Sequence, residues 1–184
     1  MTATETHLAG CFILEPKVFE DDRGYFFESF NQQTFNKLIG KEVNFVQDNQ
    51  SFSSKGVLRG LHYQKGIHAQ AKLVRVLSGS VLDIAVDIRK DSPTKGQYIA
   101  VELSAENRKQ IFVPRGFAHG FLVLSENAQF FYKCDNFYNM EAESGIMFND
   151  SDLNIDWQLA NNDIIVSEKD KILPFYSQIS FENY

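Results

Sequence analysis

The segment KLVRVLSGSVLDIAVDI, residues 72–88, contains two runs of alternating apolar side chains separated by Ser78-Gly79. Alternation with a period of two is typical of a β-strand with one buried face. In the second run, four apolar side chains share one face and two carboxylates share the other: Leu82, Ile84, Val86 and Ile88 against Asp83 and Asp87. Because Ser-Gly favours a tight turn, the segment predicts a β-hairpin.

The alternating pattern extends well beyond this segment. From Cys11 to Lys133 the chain consists mainly of short runs broken by Gly, Asn, Asp and Ser, which is typical of a sandwich or barrel and not of a βαβ fold. Residues 32–39 differ, since their apolar side chains recur at helical spacing before Gly40, and they predict a short helix outside the barrel. After Glu141 the chain becomes irregular, which indicates short helical turns or loops that fold back over the barrel. The prediction is an all-β fold with a few short peripheral helices.

Length, charge and cysteine content restrict the class of protein. The 184 residues suit a single domain spanning 1–184, since a chain of about 150–200 residues buries roughly 70% of its unfolded surface around one core. A net charge of -6 argues against a general nucleic-acid binder, and no stretch approaches the roughly 20 apolar residues needed to span a bilayer. Two distant cysteines, Cys11 and Cys134, favour a reducing compartment. We expect a cytoplasmic protein without nucleic-acid or membrane partners.

The segment VLRGLHYQ, residues 57–64, places Arg59 and His62 close together around Gly60. In a regular strand these two side chains would point to opposite faces. A glycine permits a β-bulge, which could turn both side chains into one cavity. His62 alone could equally be a hydrogen-bonded core or surface histidine.

Three further side chains could take part in binding or catalysis. Lys72 shares a strand face with Val74 and Val76, so an interior position would oblige its ammonium to meet a carboxylate, a ligand or a substrate oxygen. The apolar face could instead be an outer one, covered by another sheet or subunit. His119 lies in PRGFAHGFLVL, where flanking glycines permit close approach of a ligand or backbone, and it could also be a core histidine. Tyr132 could be a packed tyrosine or a proton donor.

Motifs for metal and cofactor binding are not found in the sequence. The chain has no His-x-His, and His68 has no ligand at short spacing. It also lacks GxGxxG and GxxxxGK[ST], the loops that hold nucleotide phosphates in Rossmann and P-loop proteins. We therefore expect no metal and no cofactor.

Six blocks in succession carry a resemblance to a known family. They are RGYFFESF (23–30), FVQDNQS (45–51), VLRGLHYQ (57–64), AKLVRVLSGSVLDIAVDIR (71–89), FVPRGFAHGF (112–121) and SEKD (167–170). Together they resemble the dTDP-4-dehydrorhamnose 3,5-epimerase family over nearly the whole chain. The resemblance implies a cupin-type double-stranded β-helix jelly roll and a homodimer.

The resemblance also implies catalytic roles. His62 would be the general base, with Asp170 fixing its tautomer and stabilising the imidazolium. The implied substrate is a 4-keto sugar, whose C3 and C5 hydrogens are acidic because the carbanion delocalises onto the C4 oxygen. Lys72 would stabilise that oxygen, and Tyr132 would return a proton from the opposite face.

Binding roles follow in the same way. Arg23 and Arg59 resemble the family's phosphate-binding positions, and planar guanidinium groups suit pairs of phosphate oxygens. The remaining positions that resemble substrate-binding ones are Phe19, Glu28, Gln47, Asp48, Asn49, His119, Tyr138, Glu143 and Lys169. Phe19 and Tyr138 would stack on the base. The N-terminal region of this family commonly crosses to the partner subunit, which would make the nucleotide site partly the partner's.

The activity implied is conversion of dTDP-4-keto-6-deoxy-D-glucose into dTDP-4-keto-L-rhamnose, towards dTDP-L-rhamnose. A sister enzyme that inverts one carbon of a related dTDP-4-keto-6-deoxysugar would use the same base and acid. A non-catalytic jelly-roll sugar-binding module would have His62, Lys72 and Tyr132 scattered over outer faces. A metal-dependent cupin oxygenase would contain bound iron.

Overall fold

The computed structural model of the protein describes residues 1–182, which form thirteen β-strands, one α-helix and four short 3-10 helices. The strands are β1 (Thr2–Glu5), β2 (Phe12–Glu15), β3 (Phe19–Asp21), β4 (Gly24–Phe26), β5 (Gln47–Ser54), β6 (Leu58–Gln64), β7 (Lys72–Ser78), β8 (Ser80–Asp87), β9 (Tyr98–Ser104), β10 (Gln110–Val113), β11 (Phe117–Val123), β12 (Asn127–Cys134) and β13 (Glu143–Gly145). The helix α1 is Gln32–Ile39, and the 3-10 helices are Gly66–His68, Asn161–Asp163, Asp170–Ile172 and Tyr176–Gln178.

Two antiparallel sheets face each other. One has the order β1-β2-β10-β7-β12-β5 and the other β13-β6-β11-β8-β9, while β3 and β4 form a separate hairpin. Neighbours in both sheets are mostly distant in sequence, as in a double-stranded β-helix. The predicted all-β jelly roll is confirmed.

The predicted hairpin at Ser78-Gly79 is wrong. The turn joins β7 to β8, but β7 pairs with β10 and β12 whereas β8 pairs with β9 and β11 in the opposite sheet. Both strands have apolar side chains that are buried on both faces, such as Leu73 and Val74 in β7. Each strand is therefore central in its own sheet, and long-range pairing takes the place of the local hairpin.

Apolar side chains form three layers. The inner layer fills the space between the sheets and includes Val74, Val81, Phe121 and Phe130. A second layer covers the outer face of the five-stranded sheet with residues of the irregular C-terminal segment, including Trp157. This segment folds back over the barrel as predicted.

The third layer covers the six-stranded sheet with α1. Phe35 and Ile39 of the helix pack with residues such as Phe112 of the sheet. The Asn31 side chain accepts the Thr34 N–H at 3.1 Å, and Gly40 ends the helix with a φ of 72°. The predicted helix and its end are confirmed. It is the longest helix of the described chain, and among residues 1–182 no helix has the length and apolar character that crossing a membrane would require.

The orientation of β8 decides the polarity of the barrel interior. Its face with Leu82, Ile84 and Val86 points outward under the C-terminal segment, whereas Val81 and Ala85 belong to the inner layer. Alternation therefore places the Asp83 side chain inside the barrel, where none of it is exposed.

Candidate active site

A cavity of about 540 Å³ opens into one end of the space between the two sheets. Strands β5, β6, β7, β11 and β12 line it together with residues 165–170 of the C-terminal segment. Eight of the residues singled out from the sequence lie in its wall: Asn49, Arg59, His62, Lys72, His119, Tyr132, Lys169 and Asp170. The structure thus gathers residues from five strands and a loop into one concave site.

A bulge in β6 explains how Arg59 and His62 reach the same cavity. His119 pairs with His62 and Phe121 pairs with Arg59, so β6 has one residue more than β11 in this interval. Gly60 has a φ of 131°, and a Cβ atom there would lie 2.6 Å from the Cα of Gly120. Any side chain at position 60 would clash with β11, so the bulge requires glycine, as the sequence predicts.

His62 forms a hydrogen-bonded pair with Asp170. The Nε2–H of His62 donates to Oδ1 of Asp170 at 2.7 Å, which leaves Nδ1 as the basic atom. Burial alone would raise the pKa of Asp170, but hydrogen bonds from His62, the Gly60 N–H and Ser167 together hold it below its ordinary value. The carboxylate therefore stays ionised and fixes the tautomer of the ring.

Lys72 and Tyr132 lie next to each other on β7 and β12. The ammonium of Lys72 is 5.7 Å from the centre of the Tyr132 ring, and within residues 1–182 it forms no salt bridge. Burial lowers the pKa of Lys72. The electrostatic influence of Cys134, Asp83 and Glu143 raises it, but by less than burial lowers it. Burial likewise raises the pKa of Tyr132 to about 12, so its hydroxyl stays protonated at neutral pH. Lys72 faces the interior with Val74 and Val76, and its charge is available to a ligand.

Asp83 contacts the cavity residue His119, and it was not predicted from the sequence to belong to the site. Both of its carboxylate oxygens lie 3.0 Å from Nε2 of His119, whose side chain is 5% exposed. The ring of His119 also stacks on Phe130 with the ring centres 6.2 Å apart. The available signal was a carboxylate in the middle of an otherwise apolar strand, because such a group needs a partner when it is buried.

The rim of the cavity is a polar network. Oε2 of Glu143 accepts hydrogen bonds from the Tyr138 hydroxyl at 2.7 Å and from Nζ of Lys169 at 2.6 Å. Burial would raise the pKa of Glu143, but the hydrogen bonds from Lys169 and Tyr138 lower it overall. Gln47 donates to Oδ1 of Asn49 at 3.1 Å and accepts the Tyr138 N–H at 3.0 Å. This network connects the edge of β5 to the segment that carries Asp170.

Four predicted binding residues lie outside the cavity in a single chain. Phe19 and Arg23 belong to the β3–β4 hairpin and are exposed, Arg23 forming an ion pair with Asp21. Glu28 is exposed and accepts a hydrogen bond from Asn31. Asp48 lies on the opposite face of β5 from Asn49, in an ion pair with Lys133 at 2.9 Å. The structure does not bring their side chains to the cavity of their own chain.

The arrangement suits proton transfer at carbon next to a carbonyl group. It combines an oriented base, a protonated phenol and an unpaired cation within one partly apolar cavity. In the described part of the chain, no group of three or more His, Cys, Asp or Glu side chains has an arrangement that could hold a metal ion.

Fold and site together define a jelly-roll enzyme of the isomerase class. Residues 5–178 match the family model described as dTDP-4-dehydrorhamnose 3,5-epimerase, and the chain belongs to this family. The dTDP-4-dehydrorhamnose 3,5-epimerase of Salmonella typhimurium is 53% identical over 178 residues, which is 97% of each chain.

Two solved structures of epimerases are similar to this chain over nearly its whole length. The crystal structure of dTDP-4-dehydrorhamnose 3,5-epimerase from Elizabethkingia anophelis is similar with a TM-score of 0.93 and 59% identity, covering 96% of this chain and 97% of that one. The epimerase of Legionella pneumophila, in complex with dTDP-4-keto-L-rhamnose, has a TM-score of 0.94 and 46% identity, covering 100% and 98%. These similarities extend over the cupin jelly roll as a whole and make the chain an epimerase.

Proposed function

We propose that this epimerase inverts C3 and C5 of dTDP-4-keto-6-deoxy-D-glucose in the cytoplasm and so produces dTDP-4-keto-L-rhamnose for dTDP-L-rhamnose synthesis. The observation that carries the proposal is the His62–Asp170 pair, which faces a cavity that also contains Lys72 and Tyr132. The complex of the Legionella relative with dTDP-4-keto-L-rhamnose supports this substrate class.

The first step is removal of a proton from carbon. Nδ1 of His62 takes the C3 hydrogen as a proton, and the electron pair of the broken C–H bond moves onto the C4 oxygen to form an enolate. The ammonium of Lys72 stabilises the negative oxygen, and a cation in a water-poor site does so more strongly than one in bulk water. Asp170 stabilises the imidazolium of His62.

The second step returns a proton to the opposite face. The hydroxyl of Tyr132 donates it to C3 and becomes a phenolate, while the enolate collapses to the ketone. The phenolate then takes a proton from solvent, and the same sequence follows at C5. A pKa of about 12 keeps Tyr132 protonated until the enolate forms. His62, with its side chain 31% exposed, returns its proton to solvent. No net oxidation or reduction occurs, so the scheme uses no redox cofactor.

Nucleotide binding is assigned to the polar residues around the cavity mouth. Arg59 would hold the diphosphate, Gln47 and Asn49 the thymidine, and Tyr138 the face of the base. Glu143 and Lys169 would contact the substrate once the hydrogen bonds that Glu143 accepts from Tyr138 and Lys169 rearrange. His119, fixed by Asp83, would position the sugar near its C4 oxygen.

A homodimer would complete this site. The exposed N-terminal residues Phe19, Arg23 and Glu28 would reach the nucleotide of the partner subunit, with Arg23 released from Asp21 to bind phosphate. The hairpin presents Phe19, Tyr25 and Phe26 with 54%, 60% and 70% exposure, and exposed aromatic side chains grouped in this way are typical of an interaction surface. Mixing Arg23→Ala with His62→Ala chains tests this directly, because shared sites regain activity in mixed dimers and separate sites do not.

Proton NMR of dTDP-4-keto-6-deoxy-D-glucose in deuterium oxide tests the reaction. We expect deuterium at both C3 and C5 and a product of L-rhamno configuration. Exchange at one carbon only would identify the single-carbon epimerase, and absence of exchange would refute the proposal.

A Tyr132→Phe variant separates the acid from the base. Removing the donor should lower product formation by about 10²- to 10³-fold while deuterium still enters the substrate, because general acid catalysis contributes on this scale. Equal loss of exchange and inversion would contradict the assignment of Tyr132 as the acid. Phe131→Tyr, a neighbouring position on the other face of β12, serves as the control for aromatic substitution in this strand.

A further inference from the structure

Ser53 is a buried hydroxyl group next to Arg59 that the proposed mechanism does not use. It lies on β5 on the same face as Gln47, Asn49 and Ser51, and only 5% of it is exposed. Its Oγ accepts a hydrogen bond from the Nε–H of Arg59 at 3.0 Å. On the neighbouring strand it faces Ala128.

Arg59 reaches the cavity from the bulge of β6 and is exposed there. A guanidinium group has five N–H donors in a rigid plane, and Ser53 engages the one on Nε. Within residues 1–182 the Arg59 side chain forms its hydrogen bond through Nε and has no salt bridge, so both terminal nitrogens of the guanidinium group are available. A long side chain on an open surface would otherwise sample many rotamers before binding.

We propose that Ser53 is a positioning residue for Arg59, which it holds with the two terminal nitrogens directed at the diphosphate of the substrate. This inference rests on the proposed function, because it requires that Arg59 binds the diphosphate. Ser53 itself makes no contact with substrate. It acts by ordering the arginine before the ligand arrives, so the entropy of immobilising that side chain is not lost on binding.

The expected effect is moderate and specific. Immobilising one flexible side chain upon binding weakens affinity by roughly 2- to 10-fold, so Ser53→Ala should weaken dTDP binding by about 5-fold. KM should rise with kcat unchanged, because the same arginine contact is made in the ground state and in the transition state. Affinity for thymidine, which lacks the diphosphate, should stay the same.

Titration calorimetry with dTDP and with thymidine tests the proposal on wild type, Ser53→Ala, Arg59→Ala and the double variant. Ser54→Ala is the matched control, since Ser54 is the next residue of β5 and points to solvent. In the Arg59→Ala background, Ser53→Ala should have no further effect on dTDP binding. If Ser53→Ala fails to fold, Ser53→Cys keeps the size and offers only a weak acceptor for the same measurement.

Three results would overturn the proposal: wild-type affinity of Ser53→Ala for dTDP, equal losses for dTDP and thymidine, or a Ser53→Ala effect that persists without Arg59. Failure of the proposed function looks different. In that case the wild-type protein itself would not bind dTDP, or Arg59→Ala would bind it normally.

Discussion

Two histidine–aspartate pairs lie side by side in the cavity, and they differ in their access to water. His62 on β6 and His119 on β11 are direct partners across the two strands. The side chains of His62 and Asp170 are 31% and 5% exposed, whereas those of His119 and Asp83 are 5% and 0% exposed. In both pairs the Nε2 atom of the histidine contacts the carboxylate, but the surroundings are different.

In the proposed mechanism, this difference gives the two histidines different tasks. A base in an epimerase must take a proton from carbon and pass it on, which requires access both to the substrate and to solvent. His62 has this access. His119 is enclosed by Asp83 and Phe130, so in the proposed mechanism it suits a fixed group that orients the sugar. The two proposed roles differ because the two side chains differ in burial, as in other sites where paired groups have opposite environments.

The largest expected effect is the loss of the exposed histidine. His62→Ala should reduce deuterium exchange at both C3 and C5 by about 10⁴-fold, at the upper end of what general-base catalysis contributes. Its affinity for dTDP should remain near that of wild type, because His62 faces the sugar. NMR in deuterium oxide measures the exchange, and His7→Ala provides a control on a solvent-exposed histidine. If His62→Ala exchanged deuterium at the wild-type rate, His62 would not be the base and another residue would have that role.

Asp170→Asn should have a smaller effect on the same rate. The amide keeps the shape but no longer stabilises the imidazolium, so exchange should fall by about 10²-fold, at the lower end of that range. The folded-state pKa of Asp170 is depressed, so its pairing stabilises the protein above the unfolded pKa of about 3.9 and is lost as the pH falls through the lower folded value.

Urea unfolding between pH 3 and pH 7 checks this stability effect. The free energy of unfolding of wild type should exceed that of Asp170→Asn most at pH 7, and the difference should shrink in acid. A difference that is constant over this range would mean that ionisation of Asp170 has no part in stability.

Asp83→Asn tests the buried pair and should act more on stability than on chemistry. An amide in a fully buried position satisfies His119 less well, and a poorly satisfied buried polar group costs about 1–3 kcal/mol. Denaturant unfolding should show this loss, while exchange at C3 and C5 should continue at a reduced rate. If Asp83→Asn abolished exchange as His62→Ala does, the two pairs would not have the distinct tasks assigned to them.

The smallest expected effect concerns Lys72, the cation in the cavity wall. Because burial lowers the pKa of Lys72, its charge should disappear at a pH below the ordinary lysine value of about 10.4, and kcat should fall there. Lys72→Arg retains a charge and should move this alkaline limb to higher pH, with a loss of kcat below the ~10²-fold cost of removing an oxyanion donor. A pH–rate profile measures the position of this limb, with Lys37→Arg, an exposed lysine on α1, as the control. An unchanged limb in Lys72→Arg would assign it to another group.

Local features were predictable because they depend on a few neighbouring residues. The spacing of apolar residues and Gly40 predicted α1 and its end correctly. Gly60 predicted the bulge that brings Arg59 and His62 to one cavity, since only glycine tolerates such a close approach of β11. The alternation of β7 predicted that Lys72 shares its face with Val74 and Val76.

The failures concern relations between distant parts of the chain. Ser78-Gly79 has the residues of a hairpin turn, yet it connects two sheets. Pairing of β7 and β8 with strands that are distant in sequence takes the place of pairing with each other. Asp83 was not singled out, because alternation does not tell which face of β8 is interior. The prediction that Asp48 binds substrate remains untested, and its side chain points away from the cavity.

By itself the sequence determined the strand-rich character of the protein, its one regular helix, the bulge at Gly60 and, through resemblance, the family. Periodicity, turn residues and motifs depend on residues that are close in sequence, so the sequence is enough to predict them. Only the tertiary structure decided that Asp170 would meet His62 across 108 positions and that Asp83 would meet His119 inside the barrel. Such contacts depend on how sheets pair and which faces are buried, and these are properties of the whole chain, not of any one segment.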